Sequence, residues 1–445
     1  MQVNPFISYL DKNKTILSLF VLSIIGYLLT YLFSVVLSHY LNAIRFGEFN
    51  IALRVLNLLT SLALLGTNMA SRKFVSQFLR KHDKKNLVLY ITWNIHLIRM
   101  SFACCLLFAL ISYVMMNMLH IWHIKDIKTY HMAIYMLWIA PLASLLTLFE
   151  SYLLCANHPI LSNILYKIRP LSYIFFFLLT IVFYDVTVNS RVMVLPLFLS
   201  FFCLLIIEII IITRKIPVIF NGLVTSFMGK NNAPPHENWL PASLRLTANN
   251  LLFLVITTID LLLVQFICPN KEAVGQYAVV LTIASVIFVV PQNLYANIKA
   301  NVSQLIETSS GRLQLQNKIK QPNRYALMVI LLVGSAIFYY SNTLLGHFGP
   351  IYIQAKRPLL IATIGFMVAG FSQAATSIIA YSGYEKLLLQ ISIIECGLLL
   401  MLGIILTYFL GITGTAIASS AVMIFKSFVF HIESYRKFGI KTFYI

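Results

Sequence analysis

The sequence predicts an all-α polytopic membrane protein with about 12 transmembrane helices, arranged as two six-helix lobes that are related by a parallel internal repeat. Three observations lead to this fold class. Of the 445 residues, 59% are hydrophobic and only 11% are charged, whereas soluble domains are usually near half apolar and a quarter charged. Twelve apolar stretches are long enough to cross a bilayer, and a short phrase at the second stretch recurs at the eighth.

The apolar stretches follow one another with short polar connections, and no soluble domain fits between them. A helix needs about 20 apolar residues to cross a hydrocarbon core roughly 30 Å thick. The third and fifth spans are the hardest to delimit, because the apolar run of the third exceeds one crossing and the fifth is short. The predicted spans are Thr15–Ser38, Asn50–Ala70, Leu97–Met118, Met132–Cys155, Pro170–Tyr184, Val192–Thr213, Leu240–Phe266, Gln276–Ile298, Tyr325–His347, Pro358–Ala380, Leu387–Tyr408 and Ile412–Phe430.

The repeated phrase divides the chain into two halves. Phe46–Ile51 and Val274–Val279 share an apolar–Gly–polar–aromatic–small–aliphatic pattern, and each opens an apolar run. The phrase pairs the second span with the eighth in the same direction, so the repeat is parallel. We expect an N-terminal lobe over 1–230, a cytoplasmic linker over 231–238 and a C-terminal lobe over 239–445. Two similar bundles facing a central cavity are a common plan for secondary transporters.

The formal charge of +19 follows from loops that are rich in Lys and Arg. Such loops stay cytoplasmic, so we expect a multi-pass membrane protein with both termini in the cytoplasm. The anionic inner leaflet attracts these loops, which makes membrane lipid an expected partner and removes the need for nucleic acid. The basic groups follow the second span (Arg72, Lys73, Arg80, Lys81, Lys84, Lys85) and the eighth (Lys299, Arg312, Lys318, Lys320, Arg324).

Several kinds of chemistry lack their motifs. The sequence contains no GxxxxGK[ST] loop, no HExxH, and no His/Cys cluster with metal-ligand spacing. Its six cysteines lie within or beside spans, where they fit as small apolar packing residues. We therefore predict no catalytic residue, no metal and no cofactor, and a protein that is not an enzyme.

Eight charged residues fall within the predicted spans, where a charge is costly unless it meets water or a partner. Most lie near the ends of their helices, where a long side chain can snorkel to the interface. Asp260 and Glu395 lie deeper, so they are the stronger candidates for a function, whereas Glu208 is assigned no central role. The eight are the cations Arg54, Arg99, Arg245 and Lys426 and the acids Glu150, Glu208, Asp260 and Glu395.

Two helices carry polar faces that suit a cavity wall. On the seventh span Arg245, Asn249 and Asp260 fall within about 60° of one another at roughly 100° per residue, although an interhelical pair would give the same pattern. On the first span a polar face repeats at helical spacing, and its two tyrosines need polar partners or a wet cavity. The tenth span repeats the theme around Gln373. The face of the first span consists of Ser23, Tyr27, Thr30, Tyr31 and Ser34.

Several segments together resemble the lipid-linked oligosaccharide flippases of the O-antigen type, in the multidrug/oligosaccharidyl-lipid/polysaccharide exporter superfamily. They match in kind and order over most of the chain. The matching segments are Phe46–Phe49 followed by Leu64–Gly66 and a basic loop, Ile259–Leu263 followed by Glu272–Tyr277, Phe348–Tyr352, and Ser382–Gly383.

The resemblance implies alternating access and a polyprenyl-diphosphate-linked oligosaccharide that is moved from the cytoplasmic to the periplasmic leaflet, in O-antigen or other surface polysaccharide biosynthesis. It also implies a location in the bacterial inner membrane and coupling to a proton or sodium gradient, with polysaccharide assembly proteins as further partners. Cations would meet the diphosphate, because guanidinium pairs with phosphate bidentately. The roles that follow are diphosphate binding for Arg245, Arg99, Lys426 and Arg54, ion coupling for Asp260, Glu395 and Glu150, and cavity lining for Tyr27, Thr30, Tyr31, Asn249 and Gln373.

Three other functions stay open. A cation-coupled multidrug exporter of the same superfamily is the principal alternative, although its cavity should be mainly acidic and aromatic, whereas four cations balance four carboxylates within these spans. An intramembrane glycan-processing enzyme would form product without a gradient. A scaffold of a polysaccharide assembly complex would tolerate neutralisation of its buried charges.

Overall fold

The structure is a computed structural model that describes residues 14–121, 131–183, 190–227, 239–295, 302, 305–306, 308–382 and 384–442. Within these residues every regular element is a helix, which confirms the predicted all-α class. The predicted linker 231–238 and Lys299 lie outside the described residues. The α-helices are α1 (Lys14–Tyr40), α2 (Ala43–Leu64), α3 (Thr67–Arg80), α4 (Lys84–Ile121), α5 (His131–Cys155), α6 (Pro159–Phe183), α7 (Ser190–Lys215), α8 (Pro217–Phe227), α9 (Trp239–Ile267), α10 (Ala273–Ala284), α11 (Val289–Leu294), α12 (Ser309–Gly346), α13 (Lys356–Phe371), α14 (Gln373–Tyr381) and α15 (Glu385–Phe438).

Within the described residues, ten helical segments are long and apolar enough to cross a membrane, and the bent pair α2–α3 makes an eleventh. Helix α15 is one of the ten, yet its 54 residues hold the predicted eleventh and twelfth spans on either side of a break at Gly411. When its two halves are separated, each of the twelve predicted spans has a helical counterpart.

One compact unit consists of Glu48–Leu254. In it α4 packs against α8, and α7 packs against both α5 and α6. Asn94 of α4 is fully buried and donates to the Tyr152 hydroxyl at 3.0 Å and to the Ser71 hydroxyl at 3.3 Å. These bonds join α3, α4 and α5, as polar side chains often do between membrane helices.

An aromatic cluster lies where α3, α4 and the start of α9 meet in the same unit. The Trp239 ring is 5.0 Å from the Tyr90 ring and 5.6 Å from the Trp93 ring, and Phe74 and Phe78 of α3 complete the cluster.

At the start of α4, Asp83 caps the helix by accepting a hydrogen bond from the backbone nitrogen of Asn86 at 3.1 Å. Two hydrogen bonds from Asn86 hold the pKa of this carboxyl below its usual value.

The other compact unit consists of Met1–Gly47 and Val255–Ile445. Helix α13 packs against α10, α12 and α15, and α1 packs against α11. Gly365 of α13 lets this helix approach Ser420 of α15 closely, since a Cβ there would lie 2.7 Å from the Ser420 Cα. These units are defined by packing, whereas the predicted lobes 1–230 and 239–445 are defined by the repeat and stay a prediction.

The second predicted span needs a correction, because α2 and α3 meet at a bend of 61°. Leu65 and Gly66 both adopt the left-handed conformation, with φ of 45° and 74°. A Cβ on Gly66 would lie 2.3 Å from the Ser243 carbonyl oxygen, so the bend requires glycine. The apolar helix therefore covers Ala43–Leu64 rather than Asn50–Ala70, and Arg72 and Arg80 lie on helix α3 rather than in a loop.

The two copies of the repeated phrase contact each other through their glycines. A Cβ on Gly47 would lie 2.6 Å from the Gly275 nitrogen, and a Cβ on Gly275 would lie 2.1 Å from the Ala43 carbonyl oxygen. The start of α2 and the start of α10 thus approach backbone to backbone, as helices with small residues at their contact do in membranes. The glycines of the phrase serve this crossing, which sequence inspection alone does not reveal.

Helix α15 reverses direction at Gly411, which has φ 59° and ψ −140°. The hydroxyls of Thr407 and Thr415, on opposite sides of the break, are 2.8 Å apart. A Cβ on Gly414 would lie 1.8 Å from the Leu406 carbonyl oxygen. The predicted eleventh and twelfth spans therefore form a hairpin whose turn is centred on a single non-helical residue.

Two predicted span ends are also corrected. The third span belongs to a continuous 38-residue helix, α4, which begins at Lys84 rather than Leu97. The fifth belongs to the 25-residue helix α6, which begins at Pro159 rather than Pro170. Pro170 lies inside this helix, where a proline need not end a membrane helix because neighbouring groups satisfy the freed carbonyl.

Candidate functional site

The unit Glu48–Leu254 contains a buried ion pair between α5 and α6. Glu150 Oε1 accepts a hydrogen bond from a terminal nitrogen of Arg169 at 2.7 Å, and the two side chains are 10% and 17% exposed. The Arg169 guanidinium also lies 5.1 Å from the centroid of the Tyr166 ring and 5.8 Å from that of Phe201. Such cation–π contacts strengthen when the groups are desolvated, so the cation is held on several sides.

A second carboxylate, Glu208 of α7, lies near this pair. It is 1% exposed, and its charge interacts with those of Glu150 and Arg169. Its Oε2 has no hydrogen-bond partner among the described residues, and neither has the Nε of Arg169. The sequence predicts no central role for Glu208, yet the fold brings its charge within range of the predicted coupling residue Glu150.

The unit that contains Val255–Ile445 has its own ion pair within α15. Lys426 Nζ donates to Glu395 Oε2 at 2.6 Å, with 23% and 6% of the two side chains exposed. Lys426 also lies 5.6 Å from the centroid of the Phe430 ring. The sequence predicts diphosphate binding for Lys426 and ion coupling for Glu395, and the structure brings the two together as partners.

Asp260 on α9 is 5% exposed, and its Oδ1 accepts a hydrogen bond from the Leu261 amide nitrogen at 2.8 Å. On the same helix Asn249 is half-buried, and its Oδ1 has no partner among the described residues. Arg245 lies on α9 as well, but its side chain is outside the described part of the structure. The predicted face of Arg245, Asn249 and Asp260 therefore stays a prediction.

The polar face of α1 packs onto the later helices of its own unit. The Tyr27 hydroxyl donates to the Thr282 carbonyl at 2.8 Å, and the Tyr31 hydroxyl lies 3.0 Å from His347 Nδ1. Ser23 donates to Asn293 Oδ1 at 3.2 Å. Thr30 is exposed and donates to its own helix, at the Gly26 carbonyl. The two tyrosines thus have protein partners in this structure.

The remaining predicted site residues are scattered. Arg54 is half-buried on α2, Arg99 is exposed on α4, and Gln373 is half-buried at the first position of α14. These three side chains come from three different helices.

Two largely buried polar residues, Arg169 and His431, are not among the site residues predicted from the sequence. Arg169 precedes Pro170, so a span that began at the proline excluded the arginine from the membrane; the mean hydropathy of Pro159–Phe183 would have included it. His431 of α15 lies in a buried network in which its Nδ1 bonds the Thr442 hydroxyl and its Nε2 lies 3.1 Å from the Ser372 hydroxyl. Such partners depend on the fold and leave no sequence pattern.

Comparison with known proteins gives matches only among solved structures. No protein-family model and no curated protein matches the sequence. Solved structures do: an inward-facing multidrug resistance MATE family transporter of the MOP superfamily is similar over 95% of this chain and 94% of its own, with a TM-score of 0.72 and 13% identity.

Two further structures agree. A mutant of the Vibrio cholerae MATE transporter VcmN matches over 97% of this chain and 98% of its own, with a TM-score of 0.66 and 13% identity. A MOP superfamily transporter from Pyrococcus furiosus, described as having a binding pocket of reverse polarity that suggests a different function, matches over 95% of each chain with a TM-score of 0.62 and 12% identity. This chain therefore has a MATE-like fold.

Proposed function

We propose that this chain is a secondary transporter of the bacterial inner membrane that exports an amphiphilic solute by coupling it to a cation gradient. The observation that carries this proposal is the match to MATE and MOP transporters over 95–97% of the chain. Buried charges within the apolar helices support it, because intramembrane ionisable residues usually serve a substrate or ion pathway. Cytoplasmic termini remain part of the proposal.

The structural matches favour a multidrug exporter as the first substrate class. The most similar of the three structures described above is a multidrug resistance transporter, whereas none of the three is described as a flippase. In this role Asp260, Glu395 and Glu150 are the proposed coupling carboxylates, because buried acids can bind and release a cation. Tyr27, Tyr31, Thr30, Asn249 and Gln373 stay proposed as residues that line the substrate path.

A flippase for a polyprenyl-diphosphate-linked oligosaccharide is the second candidate, and the sequence favours it. The repeated phrase around Gly47 and Gly275 resembles the O-antigen flippases, and the spans predicted from the sequence contain as many cations as carboxylates. Arg54, Arg99, Arg245 and Lys426 are the proposed diphosphate ligands. The reversed pocket polarity described for the Pyrococcus furiosus transporter shows that this fold accommodates more than one type of pocket.

One pair of measurements separates the candidates. The first measures accumulation of ethidium, an organic cation, by the purified protein in proteoliposomes with an imposed pH gradient. The second measures the leaflet distribution of lipid-linked oligosaccharide in cells with and without the gene. Gradient-driven ethidium transport supports the exporter. Glycan that accumulates on the inner leaflet only when the gene is absent supports the flippase. If neither assay depends on the gene, the transporter proposal is wrong.

The coupling role is tested at Asp260. Asp260→Asn should abolish gradient-driven transport of whichever substrate responds, because the amide cannot exchange a cation. Glu433→Gln is the matched control, since Glu433 forms an i,i+3 pair with the well-exposed Arg436 near the end of α15. Full activity of Asp260→Asn at wild-type protein levels would remove Asp260 from the coupling set.

A further inference from the structure

Three helices of the unit Glu48–Leu254 bring two carboxylates and one cation together inside the apolar region. Glu150 comes from α5, Arg169 from α6 and Glu208 from α7, and α7 packs against both other helices. Arg169 is within hydrogen-bond distance of Glu150 and interacts electrostatically with Glu208. If both carboxylates were ionised, this cluster would carry a net negative charge.

An ionised Glu208 has little to stabilise it. The side chain is removed from solvent, Oε2 accepts no hydrogen bond from the described residues, and the guanidinium already pairs with Glu150 at 2.7 Å. A buried carboxylate is stable only when it is paired and hydrogen-bonded. The unpartnered oxygen therefore points to a bound cation that would neutralise the second carboxylate.

The surroundings favour a proton over a metal ion. A metal ion at Glu208 would need several further ligands, whereas a proton bonds to one carboxylate oxygen, makes Glu208 neutral and leaves the Glu150–Arg169 pair intact. Among the described residues no three His, Cys, Asp or Glu side chains are grouped to hold a metal ion. Hard cations such as Ca²⁺ need six or more oxygen ligands, and the cluster offers only two carboxylates.

Two charged groups act on Glu208 from the helices that pack against α7, and Lys167 is a further cation on α6. The charges that act on Glu208 are those of Glu150 on α5 and Arg169 on α6. Helix α8, which also packs against α7, has the sequence PVIFNGLVTSF and carries no charged residue. On α7 itself, Arg214 and Lys215 lie in the last turn of the helix, more than one turn beyond Glu208.

We propose that Glu208 holds one exchangeable proton near the Glu150–Arg169 ion pair, and that this cluster, which includes Glu150, is a proton-coupling site of the transporter. Release breaks the Glu208 O–H bond, the proton passes to water, and the electron pair stays on the carboxylate, so the cluster changes from neutral to one negative charge. Arg169 can then share its guanidinium between the two carboxylates. The inference rests on the proposed transport function, but the proton site can be observed without any substrate.

Infrared difference spectroscopy of the purified protein in lipid detects the proton directly. Between acidic and alkaline pH, the wild type should show a protonated-carboxyl band that Glu208→Gln removes. Glu150→Gln should also remove it, because Arg169 then pairs with Glu208 and keeps that carboxylate ionised. Glu433→Gln is the control and should retain the band. A band that survives in Glu208→Gln would overturn the inference.

The transport assay distinguishes the two proposals. In proteoliposomes, Glu208→Gln should lose accumulation driven by a pH gradient while keeping downhill substrate exchange. If the band depends on Glu208 but neither ethidium nor lipid-linked oligosaccharide is moved by the wild type, the proton site stands and the proposed function fails. If the wild type transports but Glu208→Gln retains full gradient-driven accumulation, the transport function stands and the coupling site is wrong.

Discussion

Lys426 and Glu395 show how one pair of residues can act on a whole helical hairpin. Glu395 precedes the turn at Gly411 and Lys426 follows it, and their contact at 2.6 Å joins the two arms of α15 well away from the turn. Val422 and Leu399 pack between the same arms in a buried apolar cluster. An ion pair in such surroundings is costly to break, because the remaining charge has no partner.

Removal of either charge should therefore destabilise the protein more than removal of both. Glu395→Gln or Lys426→Met should cost up to about 3 kcal/mol, since 23% of the Lys426 side chain stays exposed. The double variant should recover most of this loss, because an apolar pair needs no countercharge. Thermal unfolding in one detergent measures the stability of the two single variants and the double variant relative to the wild type. A double variant as unstable as the worse single variant would show that the pair does not stabilise the hairpin.

Residue-level prediction from the sequence succeeded where burial of a charge suffices as a signal. The sequence places Asp260 and Glu395 deep within their spans, and both are buried, whereas their roles in transport stay a prediction. The partners of the buried acids were not predictable in the same way. Arg169 was excluded by the proline that follows it, and the Glu395–Lys426 contact joins residues 31 positions apart, a separation that carries no periodic signal.

At the scale of helices, glycine at positions 47 and 275 allows α2 and α10 to cross in close contact. A Cβ on Gly275 would meet the carbonyl oxygen of Ala43 rather than a side chain, so the backbone itself must move. This explains why glycine recurs in the repeated phrase. The polar and aromatic positions that follow it have separate partners, such as Gln276, which donates to the Ile351 carbonyl at 3.0 Å.

Gly275→Ala should destabilise the protein by about 1–3 kcal/mol, because the added methyl group overpacks the crossing. Gly397→Ala is the matched control. Its Cβ would have nothing within 4 Å, and alanine favours a helix over glycine by up to about 1 kcal/mol. The melting temperatures of the two variants and the wild type measure these differences in stability. Equal stability of Gly275→Ala and Gly397→Ala would contradict the proposed close approach.

A separate prediction concerns the dependence of the α15 turn on glycine at position 411. Its φ of 59° and ψ of −140° suit glycine, so Gly411→Ala should cost roughly 1–3 kcal/mol and open the hairpin. Thr407→Cys with Thr415→Cys should form a disulfide in an otherwise wild-type chain, because the native hydroxyls are 2.8 Å apart. Gly411→Ala should slow this cross-linking. Unchanged cross-linking would show that the turn does not depend on glycine.

For the whole molecule, the proposed orientation can be tested at two exposed lysines. Lys81 follows α3 and Lys271 lies between α9 and α10. If positive loops are cytoplasmic, Lys81→Cys should react with a membrane-impermeant maleimide only after permeabilisation, and Lys271→Cys should react in intact cells. The native chain serves as the background. The reverse labelling pattern would place the termini outside.

Composition and hydropathy predict the whole fold better than its details. Apolar length alone located a helical counterpart for every predicted span, because crossing a bilayer imposes a minimum length and internal hydrogen bonding. The bend at Leu65 and Gly66 was missed, since it depends on a close approach to Ser243. The true start of α6 was missed because proline is a weaker signal in lipid than in water.

The hairpin of α15 also bears on how the chain enters the bilayer. Tyr408 and Phe409 beside the turn are 75% and 74% exposed, and Leu410 and Ile412 flank Gly411. No hydrophilic loop between the two arms has to be translocated during biosynthesis, so the last two spans can partition from the insertion machinery into lipid as one paired unit. Because the turn is short and apolar, it also offers no soluble segment that could carry an epitope tag or a protease site or be bound by an antibody.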